Sequence, residues 1–268
     1  MKIALGTVQF GMDYGLSNLN GQTSKKEVFR ILQYAKQSKI DLLDTAPSYG
    51  DSEKLLGDNL GNHSWRCVIK TPQFLVEKID TSHVSILNKT FHKSLANLRQ
   101  TNVHALLLHS CYDLFSPGGE LLIKEMQKLK SLGLIQKVGI SLYNANQIEI
   151  ILDKYDIDLI QLPINILDQK LLLEGWLRKI KDRKIEIHAR SVFLQGLLLM
   201  PVNSIPSYFS PIKHKFEMLQ ANADDLSVSK LDLLLSFVMS IKEIDQIIVG
   251  VNSLSQLKEI INAREIKM

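Results

Sequence analysis

The sequence predicts an α/β fold, a (β/α)8 TIM barrel formed by a single domain. Short aliphatic or β-branched runs alternate with longer segments whose apolar residues recur at helical spacing, as Val28, Ile31, Leu32 and Ala35 do. This alternation implies parallel strands joined by crossover helices. Eight such units in about 250 residues match the usual size of a closed barrel. A doubly wound open sheet is the competing arrangement, because periodicity alone does not separate the two.

The predicted strands are apolar over nearly their whole length, as expected for strands that are covered on both faces. They comprise residues 2–7, 42–45, 67–70, 103–109, 137–141, 159–163, 185–190 and 246–250. The predicted helices comprise residues 24–38, 51–60, 84–99, 119–132, 145–154, 168–183, 229–241 and 254–263.

No change of composition and no linker marks a domain boundary, so residues 1–268 are interpreted as one domain. One long segment, residues 200–228, is predicted to be irregular and lies between the seventh strand and its helix. Irregular segments of this length in compact domains are usually functional. We therefore expect it to be a candidate lid over a cofactor or substrate.

Composition excludes several classes of function. The net charge is only +4, and no basic run interleaved with aromatic residues is present, so nucleic acid is not an expected partner. Cys67 and Cys111 have no neighbours at metal-ligand spacing, which favours free thiols in a reducing compartment and no metal site. The first residues do not resemble a signal peptide, and no run approaches the ~18 apolar residues of a membrane helix. We expect a cytoplasmic protein.

Polar residues end three consecutive predicted strands. Asp44, Lys70 and His109 close strands two, three and four, and Tyr49 follows in the loop after strand two. Taken singly, each has an ordinary explanation: a helix cap, a solvated strand end, a core histidine and a turn aromatic. Because the carboxyl ends of barrel strands converge on one face, their joint occurrence favours a common site.

Such a cluster can perform acid catalysis with a phenol. A free tyrosine titrates near pH 10, too high for efficient proton exchange at neutrality. A lysine ammonium within about 4–6 Å favours the phenolate, and a carboxylate can balance the buried ammonium. A histidine can donate a hydrogen bond to a carbonyl oxygen as negative charge develops there. Reduction of that carbonyl then needs a hydride from a cofactor.

These motifs resemble those of the aldo-keto reductase superfamily. The stretch "LLDTAPSYGDSEKLLG" is similar to the family's strand-two signature, and "VIKTP" and "LLLHS" are similar to the segments that carry its Lys and His. "KVGIS", "LIQLPIN", "SVFLQGLL" and "QIIVGVNSLSQLKEIINA" follow in the family's order, so the resemblance spans nearly the whole chain. It implies a (β/α)8 barrel, with Tyr49 as general acid, Lys70 and Asp44 tuning it, and His109 orienting the carbonyl.

The resemblance also implies a nicotinamide cofactor, usually NADP, bound without a Rossmann fold; no GxGxxG follows a predicted strand. The positions that correspond to cofactor contacts are Gly6, Thr7, Asp44, Ser141, Gln161, Arg190, Ser191, Leu194, Gln195, Gly196, Gly250, Asn252, Ser253 and Gln256.

Some of these positions depart from the family pattern. Leu142 replaces an asparagine, and Arg190 stands where an aromatic residue often stacks on the nicotinamide. A guanidinium can stack on a ring, or it can bind an acidic substrate. Gly250 and Gln256 replace cations that hold the 2′-phosphate of NADP, so NAD is the alternative cofactor. Asn252 and Ser253 either bind a ribose or phosphate at the N-terminus of the last helix or simply cap that helix.

The family's loops shape its substrate pocket, and here they are short. The chain begins almost directly with the first strand, so we expect no N-terminal bottom hairpin and a floor closed by side chains. The loop after strand four is short as well, which predicts an open or partner-completed site. Tyr14, Tyr112 and Phe115 are candidate wall residues.

The leading functional hypothesis is an NAD(P)H-dependent reductase of an aldehyde or ketone, with a sugar-like carbonyl favoured by an open, polar pocket. The expected partner is this small molecule alone, and the protein is expected to be a monomer or small homo-oligomer. One alternative is a cofactor-binding regulatory barrel with little turnover. Another is a barrel with lyase or isomerase chemistry, which would bind no nicotinamide.

Overall fold

A computed structural model describes residues 2–61 and 65–263 and shows eight parallel strands that close into a barrel. Each strand pairs with the next along the chain, and β1 pairs with β8, so the predicted closed barrel is confirmed over the open sheet. The strands are β1 (Ile3–Gly6), β2 (Leu42–Asp44), β3 (Arg66–Lys70), β4 (Val103–Leu108), β5 (Ile135–Ser141), β6 (Leu159–Pro163), β7 (Glu186–Arg190) and β8 (Gln246–Gly250).

Helices surround the barrel and fill the connections between strands. They are α1 (Val8–Gly11), α2 (Lys25–Gln37), α3 (Ser52–Asn59), α4 (Thr81–Leu98), α5 (Tyr112–Phe115), α6 (Glu120–Ser131), α7 (Ala145–Lys154), α8 (Lys170–Leu173), α9 (Trp176–Asp182), α10 (Lys213–Asp225), α11 (Lys230–Ser240) and α12 (Leu254–Asn262). Within the two described ranges, no helix combines the length and the apolar character needed to cross a membrane.

The core has two parts, because strand side chains alternate between the barrel lumen and the helices. A small cluster fills the lumen at mid-height; it consists of Ala4, Leu42, Val68, Ala105, Leu107 and Leu159, with Ile248 packed against it. A much larger cluster lies between the strands and the surrounding helices and includes Val28, Ile31, Leu32 and Ala35 of α2. The apolar lumen thus separates the two ends of the barrel.

Two segments differ from the sequence prediction. The helix predicted over 168–183 is two helices, α8 and α9, because Gly175 adopts a left-handed φ of 75° between them. Residues 200–228 were wrongly predicted to be irregular throughout, since they contain the 13-residue helix α10. Its apolar stripe of Phe216, Leu219 and Ala223 is narrow and surrounded by charged residues, which hid the helical period. A lid function for this segment stays a prediction.

The floor of the barrel is filled by a polar cluster. Glu186, at the start of β7, accepts hydrogen bonds from Lys137 and from His188 Nε2, the latter at 2.7 Å. His104 Nε2 lies 3.8 Å from the same carboxylate, and His188 is fully buried. Of the described residues only Lys2 precedes β1, and these side chains occupy the lower end of the lumen. The expected floor of side chains is therefore present, and it is polar rather than apolar.

A glycine pair fixes the loop that carries Tyr49. A Cβ on Gly11 would lie 1.7 Å from the Tyr49 carbonyl oxygen, and one on Gly50 would lie 2.2 Å from the Gly11 carbonyl oxygen. Gly50 also has a φ of +55°, which side chains rarely adopt. Helix α1 and the loop after β2 can therefore approach this closely only because both residues are glycine.

We expect Gly50→Ala to destabilise the protein more than Gly61→Ala. Gly61 has a similar φ of +57°, but nothing lies within 4 Å of the position of its Cβ, so it isolates the cost of the backbone conformation. The clash with Gly11 should add about 1–3 kcal/mol to the loss in free energy of unfolding, as overpacking typically does. Urea denaturation of both variants measures the difference; equal losses would contradict the close contact.

The floor cluster makes stability depend on pH. Burial raises the pKa of Glu186, but the nearby His104 and the hydrogen bonds from His188 and Lys137 outweigh it, so this pKa lies below its ordinary value of 4.5. A carboxyl group whose pKa is lowered by folding stabilises the protein above its unfolded pKa, and this stabilisation is lost as pH falls. Between about pH 5 and pH 3, the free energy of unfolding of wild type should fall more steeply than that of Glu186→Gln.

The matched control is Glu149→Gln, which removes an exposed carboxylate from α7. Denaturant unfolding at several pH values gives the slopes. If Glu186→Gln and wild type lost stability in parallel on acidification, the floor carboxylate would not be a source of the pH dependence.

Candidate active site

A buried ion pair lies at the carboxyl ends of β2 and β3. Lys70 Nζ donates to Asp44 Oδ1 at 2.6 Å and to the Thr45 carbonyl oxygen at 3.1 Å. The second carboxylate oxygen, Asp44 Oδ2, accepts from Gln161 Nε2 at 2.7 Å. The side chains of Lys70 and Asp44 are only 2% and 6% exposed. Asp44 is therefore not a helix cap, and Lys70 is not a solvated strand end.

The surroundings of Lys70 keep it charged. Burial opposes its ammonium form, but the charge of Asp44 and the neighbouring Tyr49 outweigh burial, so the pKa of Lys70 is raised above its usual value. The Lys70 Nζ lies 5.1 Å from the centroid of the Tyr49 ring. A fixed positive charge thus stands beside the phenol.

His109 completes the cluster. It follows β4, its ring centroid lies 6.3 Å from that of Tyr49, and the two rings are nearly perpendicular at 87°. Its backbone N–H donates to Thr71 Oγ1 at 3.1 Å. Burial and the positive charge of Lys70 lower the pKa of His109 to about 4, so its imidazole is neutral near pH 7. The neutral ring can donate a hydrogen bond without itself supplying a proton.

The four side chains expected to share a site are therefore brought together by three neighbouring strands and one loop. They offer a phenolic hydroxyl, a permanent cation next to it and a neutral imidazole donor. This arrangement can protonate a carbonyl oxygen while a hydride is delivered to its carbon. Within the described ranges, no group of three or more His, Cys, Asp or Glu is arranged to hold a metal ion.

The predicted nicotinamide contacts occupy neighbouring strand ends. Ser141 of β5 and Gln161 of β6 are partners in the sheet register, and both are buried. Gly6 pairs with Asp44. The Thr7 hydroxyl donates to the Asp44 carbonyl oxygen at 3.0 Å, so it is held within the protein and positions the strand that carries Asp44.

The predicted pyrophosphate segment after β7 has an unusual backbone. Ser191, Leu194 and Gln195 have positive φ angles of 59°, 46° and 57°, followed by Gly196 at 86°. Such conformations in non-glycine residues concentrate at binding sites. The loop after α1 packs against this segment at Gly196. A Cβ at that position would lie only 1.8 Å from Ser17 Oγ, so no larger residue fits there without a shift of Ser17.

The junction of β8 and α12 is a helix cap, and it includes an acid that sequence analysis missed. Ser253 Oγ accepts from the Gln256 N–H at 3.3 Å, and Gln256 Oε1 accepts from the Asn252 N–H at 2.7 Å. The Leu254 N–H donates to Glu27 Oε1 at 2.6 Å. Glu27 lies on α2, 227 residues away in sequence, so no local pattern signals this contact.

The predicted cofactor contacts fit a dinucleotide, because those after β5, β6, β7 and β8 run along one rim of the barrel. In addition, the connections that follow β1, β5 and β8 contain buried oxygens without a hydrogen-bond partner among the described residues. These are Gln9 Oε1, Asn144 Oδ1 and Asn252 Oδ1. Buried polar atoms normally have partners, so unpartnered ones at this rim are consistent with a bound polar ligand.

The candidate wall residues are partly exposed, as a pocket lining requires. Tyr14 is 37% exposed, and burial together with Tyr49 raises its pKa, which places it near the catalytic candidates. Tyr112 and Phe115, on α5, are 54% and 41% exposed, and their part in the pocket stays a prediction. Tyr143, which sequence analysis missed, follows β5 and stacks against Arg190 at 4.3 Å.

Comparison with known proteins agrees with this geometry. The sequence profile of the Aldo/keto reductase family matches residues 2–268. D-arabinose 1-dehydrogenase of Saccharomyces cerevisiae is 24% identical over an alignment of 259 positions that covers 88% of this chain and 76% of the yeast protein.

Solved structures show the same fold. The holo form of an aldo-keto reductase from Bacillus halodurans superimposes with a TM-score of 0.78 at 19% identity, over 99% of this chain and 87% of that one. The glycerol dehydrogenase of Gluconobacter oxydans gives 0.75 at 18% identity, over 100% and 87%. The barrel and the match of the family profile along nearly the whole sequence lead to one conclusion: this chain belongs to the aldo/keto reductase family.

Proposed function

We propose that this protein is an NAD(P)H-dependent oxidoreductase that reduces the carbonyl of an aldehyde or ketone to an alcohol, with Tyr49 as general acid. The observation that carries the proposal is the buried Lys70–Asp44 pair beside Tyr49. Membership of the family supports an oxidoreductase that acts on carbonyl or alcohol groups.

In the proposed reduction, each of a small number of residues has a separate role. The bound nicotinamide supplies the hydride. His109 donates a hydrogen bond to the carbonyl oxygen, and Tyr49 gives that oxygen its hydroxyl proton as negative charge develops. Lys70 stabilises the phenolate that Tyr49 becomes, and Asp44 holds the ammonium in place. Ser141 and Gln161 are proposed to hold the nicotinamide amide.

The substrate is proposed to be sugar-like. The named relatives act on D-arabinose and glycerol, which are polyhydroxylated. The partly exposed side chains of Tyr14 and Tyr143 suit such a molecule, because a phenolic hydroxyl can both donate and accept hydrogen bonds.

Replacement of Tyr49 by Phe tests the proton transfer. The variant keeps the ring and loses the acid, so kcat for aldehyde-dependent NAD(P)H oxidation should fall by about 10²–10⁴-fold. The dissociation constant of the cofactor, measured by fluorescence titration, should change little.

An unchanged rate in Tyr49→Phe would show that the phenol is not the acid. Cofactor binding by wild type without turnover of any aldehyde or ketone would favour a regulatory barrel. Absence of nicotinamide binding altogether would favour lyase or isomerase chemistry and overturn the proposed function.

The cofactor is proposed to be NAD(H) in preference to NADP(H), although the family resemblance by itself favours NADP. Residues 250–257, at the start of α12, contain no Lys or Arg. Glu27 brings a carboxylate to this helix N-terminus, and its other oxygen pairs with Arg30 at 2.7 Å. A carboxylate can accept hydrogen bonds from ribose hydroxyls, and by pairing with Arg30 it neutralises a cation that could otherwise bind a 2′-phosphate.

Isosteric replacement of Glu27 by Gln tests this preference. Wild type should bind NADH more tightly than NADPH in a fluorescence titration. Because the amide oxygen can still accept from the Leu254 N–H, Glu27→Gln should keep the cap and narrow the ratio of the two dissociation constants about three- to tenfold at low salt.

The matched control for Glu27→Gln is again Glu149→Gln, which makes the same change of charge at an exposed position of α7 and should leave the ratio of the two dissociation constants unchanged. The proposed preference for NAD(H) would be refuted if wild type bound NADPH more tightly than NADH. It would also be refuted if Glu27→Gln left the ratio of the two dissociation constants unchanged.

A further inference from the structure

Arg190 carries a charge that the protein does not neutralise. Its Nη2 donates to the Leu142 carbonyl oxygen at 3.0 Å and its Nη1 to Ser191 Oγ at 3.2 Å, and both acceptors are neutral. No carboxylate of the described residues lies within 4.0 Å of this guanidinium. An arginine side chain stays charged throughout the physiological pH range.

This charge faces the reacting centre. Arg190 ends β7, and its side chain contributes to the lowered pKa of His109, after burial and Lys70. Lys70 is balanced by Asp44, so Arg190 supplies the net positive charge of the cluster. The charge of Arg190 is therefore unbalanced at the carboxyl end of β7, on the rim of the barrel that also carries His109.

The guanidinium is held rigidly enough to recognise a planar anion. Its carbon lies 4.3 Å from the centroid of the Tyr143 ring, and Tyr143 is 52% exposed, so the stack borders solvent. A guanidinium has five N–H donors in a fixed fork, and two protein acceptors leave donors for a ligand. Carboxylates match this fork with two parallel hydrogen bonds.

We propose that the substrate is anionic: a carbonyl compound that also carries a carboxylate, such as an aldehyde or keto derivative of a sugar acid, with Arg190 binding the carboxylate. This rests on the proposed carbonyl reduction and narrows its substrate class. Tyr143 holds the guanidinium flat by stacking against it. Arg190 is thus a specificity-determining residue rather than a group that takes part in proton or hydride transfer.

A matched pair of aldehydes tests the proposal. 4-Carboxybenzaldehyde and its methyl ester, methyl 4-formylbenzoate, differ in charge, and the greater electrophilicity of the ester's aldehyde cancels when the acid-to-ester ratio is compared between variants. Wild type should show the higher kcat/KM for the acid. Arg190→Gln should reduce the acid-to-ester ratio about 10- to 100-fold, the usual range for loss of a charged hydrogen-bond partner. Arg190→Lys should restore part of this ratio, because it restores the charge without the fork.

A binding measurement separates this inference from the proposed function. Calorimetry of wild type should show tighter binding of benzoate than of the neutral benzamide, and Arg190→Gln should remove the difference, whether or not any aldehyde is reduced. Arg178→Gln, which removes an exposed arginine of α9, is the control and should behave as wild type.

Two results would overturn the inference. One is an acid-to-ester ratio and a benzoate preference that do not change in Arg190→Gln. The other is a variant whose only defect is a weaker dissociation constant for NADH or NAD, since the guanidinium would then stack on the nicotinamide. Failure of wild type to reduce any aldehyde, with the benzoate preference intact, would instead count against the proposed reaction alone.

Discussion

The candidate site depends on the burial of one ion pair, Lys70–Asp44. Removing two charges from water is costly, and attraction between them offsets that cost only when their remaining hydrogen-bonding groups are also satisfied. Here the Thr45 carbonyl oxygen and the Gln161 amide provide those partners. The pair thereby joins β2, β3 and β6 at their carboxyl ends, and it fixes a cation next to Tyr49.

The closed barrel makes this arrangement possible. Asp44 and Gln161 come from strands that are not neighbours in the sheet, and their side chains meet only because the strands enclose one lumen. The register places Ser141 beside Gln161 and Gly6 beside Asp44. The polar side chains of Ser141 and Gln161 therefore lie at the same end of the barrel as the Tyr49 cluster.

The lumen has different chemistry at its two ends. The floor holds Glu186 among two histidines and Lys137, so its charges are balanced within the protein. At the upper rim, Lys70 is balanced by Asp44, but Arg190 has no counterion among the described residues. In barrel enzymes the carboxyl ends of the strands carry function and the opposite face carries stability. The balanced floor and the unbalanced rim agree with that division.

The sequence by itself determined the class of fold and the catalytic candidates, because both can be recognised from patterns within short stretches of residues. Strand and helix periods define the alternation, and Asp44, Lys70 and His109 each end an apolar strand. Only the tertiary structure decided closure of the barrel, since that depends on pairing β1 with β8 across the whole chain. The same holds for Glu27 at the N-terminus of α12, for the Tyr143–Arg190 stack and for helix α10. Each of these depends on contacts distant in sequence or on a weak apolar stripe, which no short window of residues contains.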